Sequence, residues 1–169
     1  MHTQDDAEKI GALTFYKMDE ARACEIVGWQ YDPPYDLYNC APDAVEETVQ
    51  GLLNPRHHYY SVWDMEGQLV GYLGFGEDGR VPGGDYTADA LDVGGGLRPD
   101  RTGQGLGAGF WKAGFEFARR HFAPVAFRAT VAAFNKRALR VWEQLGYHPV
   151  QTFESTQSGD PFVILMVDT

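Results

Sequence analysis

Short apolar runs alternate with amphipathic segments along this chain, and the alternation predicts the elements of an α/β domain. Residues 13–18 are apolar and aromatic enough for a strand, and Asp19 offers an N-cap to an amphipathic helix from residue 20 to about residue 27. Asp43 and Glu46 have the spacing of a capping box, which predicts a second helix beginning at Asp43. Prolines and four aromatic residues fill residues 29–42, so this stretch is predicted to be a loop.

Two β-rich runs, residues 59–65 and 69–75, are joined through Glu66 and Gly67 and predict a hairpin. Residues 90–97 predict another strand, although three consecutive glycines, residues 94–96, interrupt it. Glycine weakens a strand unless the strand bulges or another group approaches its backbone closely. The three glycines therefore need a local cause.

The strongest helical pattern follows a glycine-rich turn at residues 99–107. Its apolar positions are spaced i, i+4, i+7 and i+11, at Leu106, Phe110, Ala113 and Phe117. Residues 125–133 then predict a strand, and the order strand, helix, strand implies a parallel pair with a right-handed crossover.

The last part of the chain predicts one more helix and two strands. Asn135 is placed to cap a helix with Ala138, Trp142 and Leu145 on one face, and Gly146 is placed to end it. Residues 147–153 and 162–167 predict the closing strands. Together the elements predict a three-layer α/β domain with a mixed sheet.

Composition narrows the class of protein. The 169 residues are 44% apolar, which is expected for one folded domain over residues 1–169. A net charge of −10 disfavours nucleic acid as the main partner. Cys24 and Cys40 are too few for a disulfide scaffold, and residues 1–10 contain no apolar segment, so we expect a cytoplasmic protein without a membrane partner.

The turn between the glycine-rich strand and the long helix predicts an anion site. Glycines at 103, 105 and 107 leave backbone N–H groups uncovered, and the helix N-terminus adds about half a positive charge. A P-loop is excluded because no glycine here precedes Lys and Ser or Thr. The dinucleotide fingerprint is matched by Gly103, Gly105 and Ala108, but residues 125–133 lack the acid that would bind the ribose.

Two motifs in this region resemble those of a known family. The first is Pro99-x-x-x-Gly103-x-Gly105-x-Gly107, and the second is Asn135-x-Arg137-Ala138-x3-Trp142-x2-Leu145-Gly146-Tyr147. They resemble motifs A and B of the GNAT superfamily of N-acetyltransferases. The predicted order of strands and helices is also similar, so the resemblance extends over nearly the whole chain and is strongest from residue 92 to 147.

The resemblance implies a three-layer α/β/α fold with a mixed, splayed central sheet, and acetyl-CoA as the cofactor. Leu97 would contact the pantetheine arm in a V-shaped cleft beside the bulged strand, which would explain the three glycines. Asn135 would bond to the pantetheine, cap its helix, or do both. The pyrophosphate would be bound by the turn backbone, at Thr102, Gly103, Gln104, Gly105, Leu106, Gly107 and Ala108.

The chain departs from the family pattern at two positions. Thr102 stands where the family usually has Arg or Gln, with Arg101 one position earlier. Trp142 stands where the family often has a Tyr that protonates the departing thiolate, and an indole cannot do this. We expect Trp142 to form a cleft wall.

Acetyl transfer to an amine needs alignment, oxyanion stabilisation and proton removal, but no covalent enzyme intermediate. By the resemblance, Asp92 is the first candidate for the base, although a salt bridge explains a carboxylate there equally well. Glu77 is the second candidate. Tyr147 and Tyr31 are candidates for the group that protonates the thiolate.

The acceptor is expected to be an amine of a small molecule or peptide. Tyr31, Tyr35 and Tyr38 would line its pocket, or would instead hold the proline-rich loop to the core. His57, His58 and His148 lack partners at ligand spacing, so no metal is predicted. The predicted function is an acetyl-CoA-dependent N-acetyltransferase, monomeric or homodimeric, and the alternative is a non-catalytic acyl-CoA-binding module.

Overall fold

The computed structural model describes residues 7–169 and contains, within them, eight β-strands and four α-helices. Residues 1–6, which open the polar start noted above, lie outside the described residues. The chain divides into two compact units. The first comprises the described residues up to Gly74 together with Gly95–Gln104, and the second comprises Phe75–Gly94 and Gly105–Thr169.

The first unit is an antiparallel sheet with two helices. Its elements are β1 (Ala7–Ile10), β2 (Leu13–Lys17), α1 (Glu20–Val27), α2 (Val45–Leu53), β3 (Tyr60–Trp63) and most of β4 (Leu69–Phe75). Asp19 begins α1 as predicted, because its carboxylate accepts a hydrogen bond of 2.8 Å from the Arg22 amide. Apolar residues of the two helices and β4 form the core of this unit, namely Ala23, Ile26, Val27, Val49, Leu52 and Leu69.

The second unit contains the remaining elements. They are α3 (Gly107–Phe122), β6 (Ala126–Ala132), α4 (Lys136–Gln144), β7 (His148–Glu154) and β8 (Pro161–Asp168). β8 pairs antiparallel with both β6 and β7. Aromatic side chains fill the core of this unit, where Phe115 lies 5.0 Å from Phe127 between ring centroids.

Strand β5 (Leu91–Leu97) belongs to both units, since its first four residues lie in the second and its last three in the first. The strand order is β1-β2-β3-β4-β5-β6-β8-β7. The pairing of β5 with β6 is parallel, as predicted, and is recorded at two positions, Leu91 with Phe127 and Asp92 with Arg128.

The mixed α/β fold with a mixed sheet is therefore confirmed, one strand was not predicted, and one local prediction is wrong. β1 was not predicted, because its sequence Ala-Glu-Lys-Ile is half polar and its pairing with β2 determines its structure. Asp43 does not cap α2, because a 3-10 turn at Pro42–Ala44 precedes the helix, which begins at Val45 with no side-chain cap. Among residues 7–169, no helix has the length and apolar character needed to cross a membrane.

Candidate active site

One of the three glycines of β5, Gly95, is required by close contacts within the protein. A Cβ atom on Gly95 would collide with the carbonyl oxygen of Tyr72 and would lie 3.0 Å from the Leu73 Cα. On Gly96 it would lie 3.4 Å from the Tyr31 hydroxyl. Close backbone approach, one of the two causes predicted for these glycines, is thus present at Gly95, and the approacher is the backbone of β4.

Tyr31 is bonded to the last residue of β5. Its hydroxyl donates to the Leu97 carbonyl at 2.7 Å, and its amide donates to the Asn39 side chain at 2.7 Å. Burial and the neighbouring Tyr72 raise the pKa of the Tyr31 hydroxyl well above its usual range. For Tyr31, these bonds favour the second of the two roles considered above, in which the aromatic residues hold the proline-rich loop to the core.

Tyr35 and Tyr38 occupy the 3-10 turn that follows Tyr31 in the same loop. Tyr38 is 45% exposed, whereas Tyr35 is partly buried. Their role in acceptor binding stays a prediction.

The chain passes from the first unit to the second inside the glycine turn, between Gln104 and Gly105. In the first unit, the Thr102 hydroxyl donates to the Pro99 carbonyl, and the side-chain Nε2 of Gln104 donates to the Asp100 carbonyl, both at 2.7 Å. Arg101 reaches the β3–β4 turn, where it donates to the Gln68 side chain at 2.7 Å. The polar side chains of this half are thus bonded within the protein, and Gly103 and Gln104 are exposed.

In the second unit, Gly105 has a φ of +76° and a Cβ there would meet nothing within 4 Å. Leu106 is 43% exposed and occupies the N-cap position of α3 without a side-chain cap. The first amides of α3 therefore lack a capping side chain beside exposed glycine backbone. This arrangement fits the anion site predicted for the turn.

Asn135 caps α4, as the spacing predicted. Its side-chain oxygen accepts a hydrogen bond of 3.0 Å from the Ala138 amide. Gly146 follows the helix with a φ of +92°, the left-handed conformation expected there. A bond from Asn135 to pantetheine stays a prediction.

Asp92 forms the centre of a buried ion-pair network. Its Oδ1 accepts from Arg128 Nε at 2.7 Å, and its Oδ2 accepts from Arg128 Nη2 at 2.8 Å and from Arg80 Nε at 2.9 Å. The side chains of Asp92 and Arg128 are only 3% and 1% exposed. Both guanidinium groups also lie against the ring of Tyr86.

A general base needs an accessible oxygen within reach of the proton that it removes. Both Asp92 oxygens already accept from arginine, so the geometry favours the salt-bridge alternative at this position. Glu77 is 86% exposed on the side chain, and one of its oxygens lies 3.7 Å from an Arg80 nitrogen. Glu77 is therefore the more accessible of the two carboxylates.

Tyr147 and Trp142 are both buried in one aromatic cluster with Phe115. Trp142 is 3% exposed, and its ring centroid lies 4.8 Å from that of Tyr147. The Tyr147 hydroxyl is buried without a hydrogen-bond partner among residues 7–169, and burial raises its pKa far above the usual range. Trp142 is thus a buried core residue, and its expected position on a cleft wall stays a prediction.

The histidines and cysteines show no sign of metal binding in the described residues. His57 Nδ1 lies 2.7 Å from the Gly51 carbonyl, and His148 is exposed on β7. Cys24 and Cys40 are free thiols. Within the described part of the chain, no three His, Cys, Asp or Glu residues are grouped so that they could hold a metal ion.

Arg80, Tyr86 and Arg128 contact or surround Asp92, and the sequence alone does not predict this. One signal was available, because Arg128 is the single charged residue in the apolar run 125–133. A buried arginine requires a counter-charge, and Asp92 is the single acid of residues 90–97. The register that places them side by side is known only from the structure.

Comparison with known proteins places this fold among acetyltransferases. A GNAT-family acetyltransferase from Bacillus anthracis is 14% identical and has a TM-score of 0.72, over 96% of this chain and 98% of that chain. A Bordetella pertussis protein described as a GNAT-family acetyltransferase is 19% identical with a TM-score of 0.71, over 95% and 98%. A dodecameric spermidine N-acetyltransferase from Vibrio cholerae is 14% identical with a TM-score of 0.65, over 94% and 95%.

The acetyltransferase (GNAT) family model matches residues 18–147, which is most of the chain and includes both sequence motifs. No curated protein sequence matches the chain significantly. The chain therefore belongs to the GNAT family of acetyltransferases, and it is an N-acetyltransferase.

Proposed function

We propose that this enzyme transfers the acetyl group of acetyl-CoA directly to a primary amine of a small molecule or peptide. The observation that carries the proposal is the exposed glycine turn leading into α3, whose N-terminus has no side-chain cap. Backbone amides at such a position bind phosphate oxygens without help from lysine. Family membership supports CoA as the carrier of that phosphate.

The residues that would hold acetyl-CoA are those singled out in the sequence. The backbone from 102 to 108 would bind the pyrophosphate, and Leu97 and Asn135 would contact the pantetheine arm. Gly105 fits this role, because its open side leaves room for a ligand to approach the backbone. When bound, acetyl-CoA supplies an activated thioester, and the protein positions the amine against it.

Proton removal in this proposal does not depend on Asp92. The carboxylate is held by two arginines, and its part is to keep β5 and β6 in register. The amine proton passes to water or to exposed Glu77, since a water chain or an accessible carboxylate can serve as the base. Tyr147 is protonated at neutral pH, as tyrosines normally are, and burial raises its pKa further, so its role as proton donor to the thiolate stays a prediction.

An amine acceptor is supported by the neighbours of similar fold, which include spermidine N-acetyltransferase from Vibrio cholerae. The net charge of −10 is favourable for cationic amines in general. The proposed oligomeric state is a monomer or a homodimer.

The alternative left open by the sequence, a non-catalytic acyl-CoA-binding module, is disfavoured by membership of an acetyltransferase family. The observation that favours it is Trp142, a buried indole at the position where the family pattern often has tyrosine. An indole cannot protonate a thiolate. Such a module would bind acetyl-CoA without releasing CoA.

The experiment is a thiol-release assay with acetyl-CoA and a panel of diamines, amino acids and peptides. The proposal predicts amine-dependent release of CoA, whereas the binding module predicts calorimetric binding without release. Gly105→Ala should weaken acetyl-CoA binding several-fold, because a methyl group would stand between the ligand and the turn. Gly159→Ala is the matched control, since Gly159 has a φ of +77° and equal open space in the β7–β8 turn. Failure of calorimetry to detect CoA binding would refute both candidates.

A further inference from the structure

The half of the glycine turn that lies in the first unit is attached to the hairpin formed by β3 and β4. Residues 98–104 contain one short 3-10 turn, Pro99–Arg101, and are otherwise irregular. Such a segment lacks the repeated backbone hydrogen bonds of a helix or strand. Its conformation therefore depends on contacts with neighbouring residues of the same unit.

Arg98 makes the first attachment. Its amide donates to the Val70 carbonyl at 2.8 Å, and its Nη1 donates to the Leu69 carbonyl at 2.9 Å. Its Nε and Nη2 donate to the two carboxylate oxygens of Asp100 at 2.6 and 3.0 Å. This bidentate pair lowers the pKa of Asp100. All three side-chain nitrogens of Arg98 are thus bonded within the unit, and the start of the turn is joined to β4.

Arg101 makes the second attachment. Its Nη2 donates to Gln68 Oε1 at 2.7 Å and lies 3.4 Å from Asp64 Oδ2. The side chains of Arg101 and Asp64 are only 26% and 20% exposed, so the pair is partly shielded from water. A carboxylate beside Arg101 weakens the attraction of this arginine for phosphate. The pairing therefore favours a positioning role for Arg101 over direct phosphate binding.

Asp64 also shapes the turn of the hairpin. Its Oδ1 accepts from the amides of Glu66 and Gln68, both at 2.9 Å, and its own amide donates to the Gln68 carbonyl at 2.9 Å. One carboxylate oxygen thus fixes the hairpin turn while the other faces Arg101. Arg101 is therefore held by a hairpin whose own conformation is already fixed.

The attached half of the turn presents backbone donors at its surface. Gly103 and Gln104 are exposed, and among residues 7–169 their amides donate no hydrogen bond. The Gln104 side chain bonds back to the Asp100 carbonyl, which fixes the segment further. Donors bind an anion more tightly when their direction is set before the ligand arrives, because binding then costs less ordering.

We propose that Arg101 is a positioning residue, which holds residues 98–104 on the hairpin through Gln68 and Asp64 and so orients the Gly103 and Gln104 amides toward the pyrophosphate of acetyl-CoA. The inference rests on the proposed function, in which the backbone of this turn binds that pyrophosphate. Releasing Arg101 from the hairpin then weakens CoA binding, even when the release removes a negative charge. A direct phosphate ligand behaves in the opposite way, since release from a carboxylate strengthens its attraction for phosphate.

The test is calorimetric titration of Asp64→Asn/Gln68→Met with CoA, which needs no knowledge of the acceptor. Asparagine keeps an oxygen that can accept from the hairpin amides, so the hairpin should be retained. The double variant should bind CoA about three- to tenfold more weakly, which is the range expected for losing one charge-assisted hydrogen bond and a partly exposed ion pair. Glu66→Gln is the matched control, because it removes the same charge from the same turn at an exposed position. Its affinity should stay within about twofold of the wild-type value.

Arg101→Gln completes a double-mutant cycle. It should weaken CoA binding in the wild-type enzyme by a similar factor and add little in the double variant, because both changes break the same attachment. Amide exchange measured by NMR without ligand should be faster at Gly103 and Gln104 in both variants. A further large loss on adding Arg101→Gln to the double variant would overturn the inference, because it would reveal a direct contact with phosphate.

Thermal unfolding monitors the fold of each protein, and Gln68→Met alone decides the question if the double variant does not fold. Unchanged or tighter CoA binding by a folded released variant would overturn the inference, whether or not its melting temperature is lower. That outcome would leave the proposed function standing, since the wild-type enzyme still binds CoA. If the wild-type enzyme does not bind CoA, the proposed function itself fails.

Discussion

Asp92→Asn tests whether this residue is structural or catalytic. The substitution keeps the shape of the side chain and removes the charge that faces Arg128, whose side chain is 1% exposed. A buried guanidinium without a counter-charge costs about 3–5 kcal/mol. Arg80 does not share this cost fully, because it is 35% exposed and can be hydrated.

The expected loss can be converted into a change in melting temperature. A protein of this size loses about 2–4 °C per kcal/mol, so Asp92→Asn should lower Tm by roughly 10 °C. Arg80→Gln breaks the partly exposed contact and should cost about 1 kcal/mol or less. Asp92→Leu/Arg128→Met removes both buried charges and should recover much of the loss, since apolar replacement of a buried pair is often neutral.

The assays are urea denaturation and thermal unfolding, with CoA binding measured on the folded fraction. If Asp92→Asn melts within about 2 °C of the wild-type enzyme, the loss of stability calculated for the uncompensated Arg128 guanidinium is refuted. A folded Asp92→Asn variant with normal CoA affinity and greatly reduced turnover would instead restore Asp92 as the base. The double variant separates these outcomes, because a stable protein lacking the carboxylate should still be active if Asp92 is only structural.

Tyr147→Phe should raise the free energy of unfolding by about 1 kcal/mol in urea, because it removes a buried hydroxyl without a partner; lower stability would contradict this. Because burial raises the pKa of Tyr147 in the folded protein, only the unfolded chain ionises at this residue just above about pH 10. The free energy of unfolding of the wild-type enzyme should therefore be unaffected by Tyr147 ionisation below about pH 10 and should fall more steeply above it than that of the variant. Gly95→Ala should destabilise the protein by about 2 kcal/mol in calorimetry because of its collision with β4, whereas Gly51→Ala in α2 meets nothing and should be neutral or stabilising. Asn135→Ala should cost about 1 kcal/mol and Asn135→Ser much less, and weaker CoA binding by a stable Asn135→Ser variant would show a role beyond capping.

The sequence was sufficient to predict a helix where apolar spacing or capping residues lie within that helix. The i, i+4, i+7 spacing of α3 and the Asn135 and Gly146 caps of α4 identified these helices correctly. β1 lacks such a signal, because only pairing with β2 makes its half-polar sequence a strand. Asp43 was misassigned because local spacing cannot distinguish a capping box from a 3-10 turn ahead of the helix.

Candidate residues at the site were identified unequally well. The turn itself was predictable at Gly103 and Gly105, because a positive φ selects glycine. Its role in binding CoA stays a prediction. The environment of Asp92 could not be predicted, because Arg128 is 36 positions away and its approach depends on the register of β5 with β6. The bond between Tyr31 and Leu97 spans 66 positions and depends equally on tertiary structure.

That bond has a consequence for transplanting loops between relatives. The proline-rich segment is fastened to β5 through the phenol of Tyr31, with Asn39 holding the tyrosine backbone. Amide protons of the segment and of the end of β5 should therefore exchange with solvent as one cooperative unit. A loop from a relative that lacks an equivalent phenol would not form the hydrogen bond to Leu97. The end of β5 should then open, and exchange its amide protons, independently of the loop.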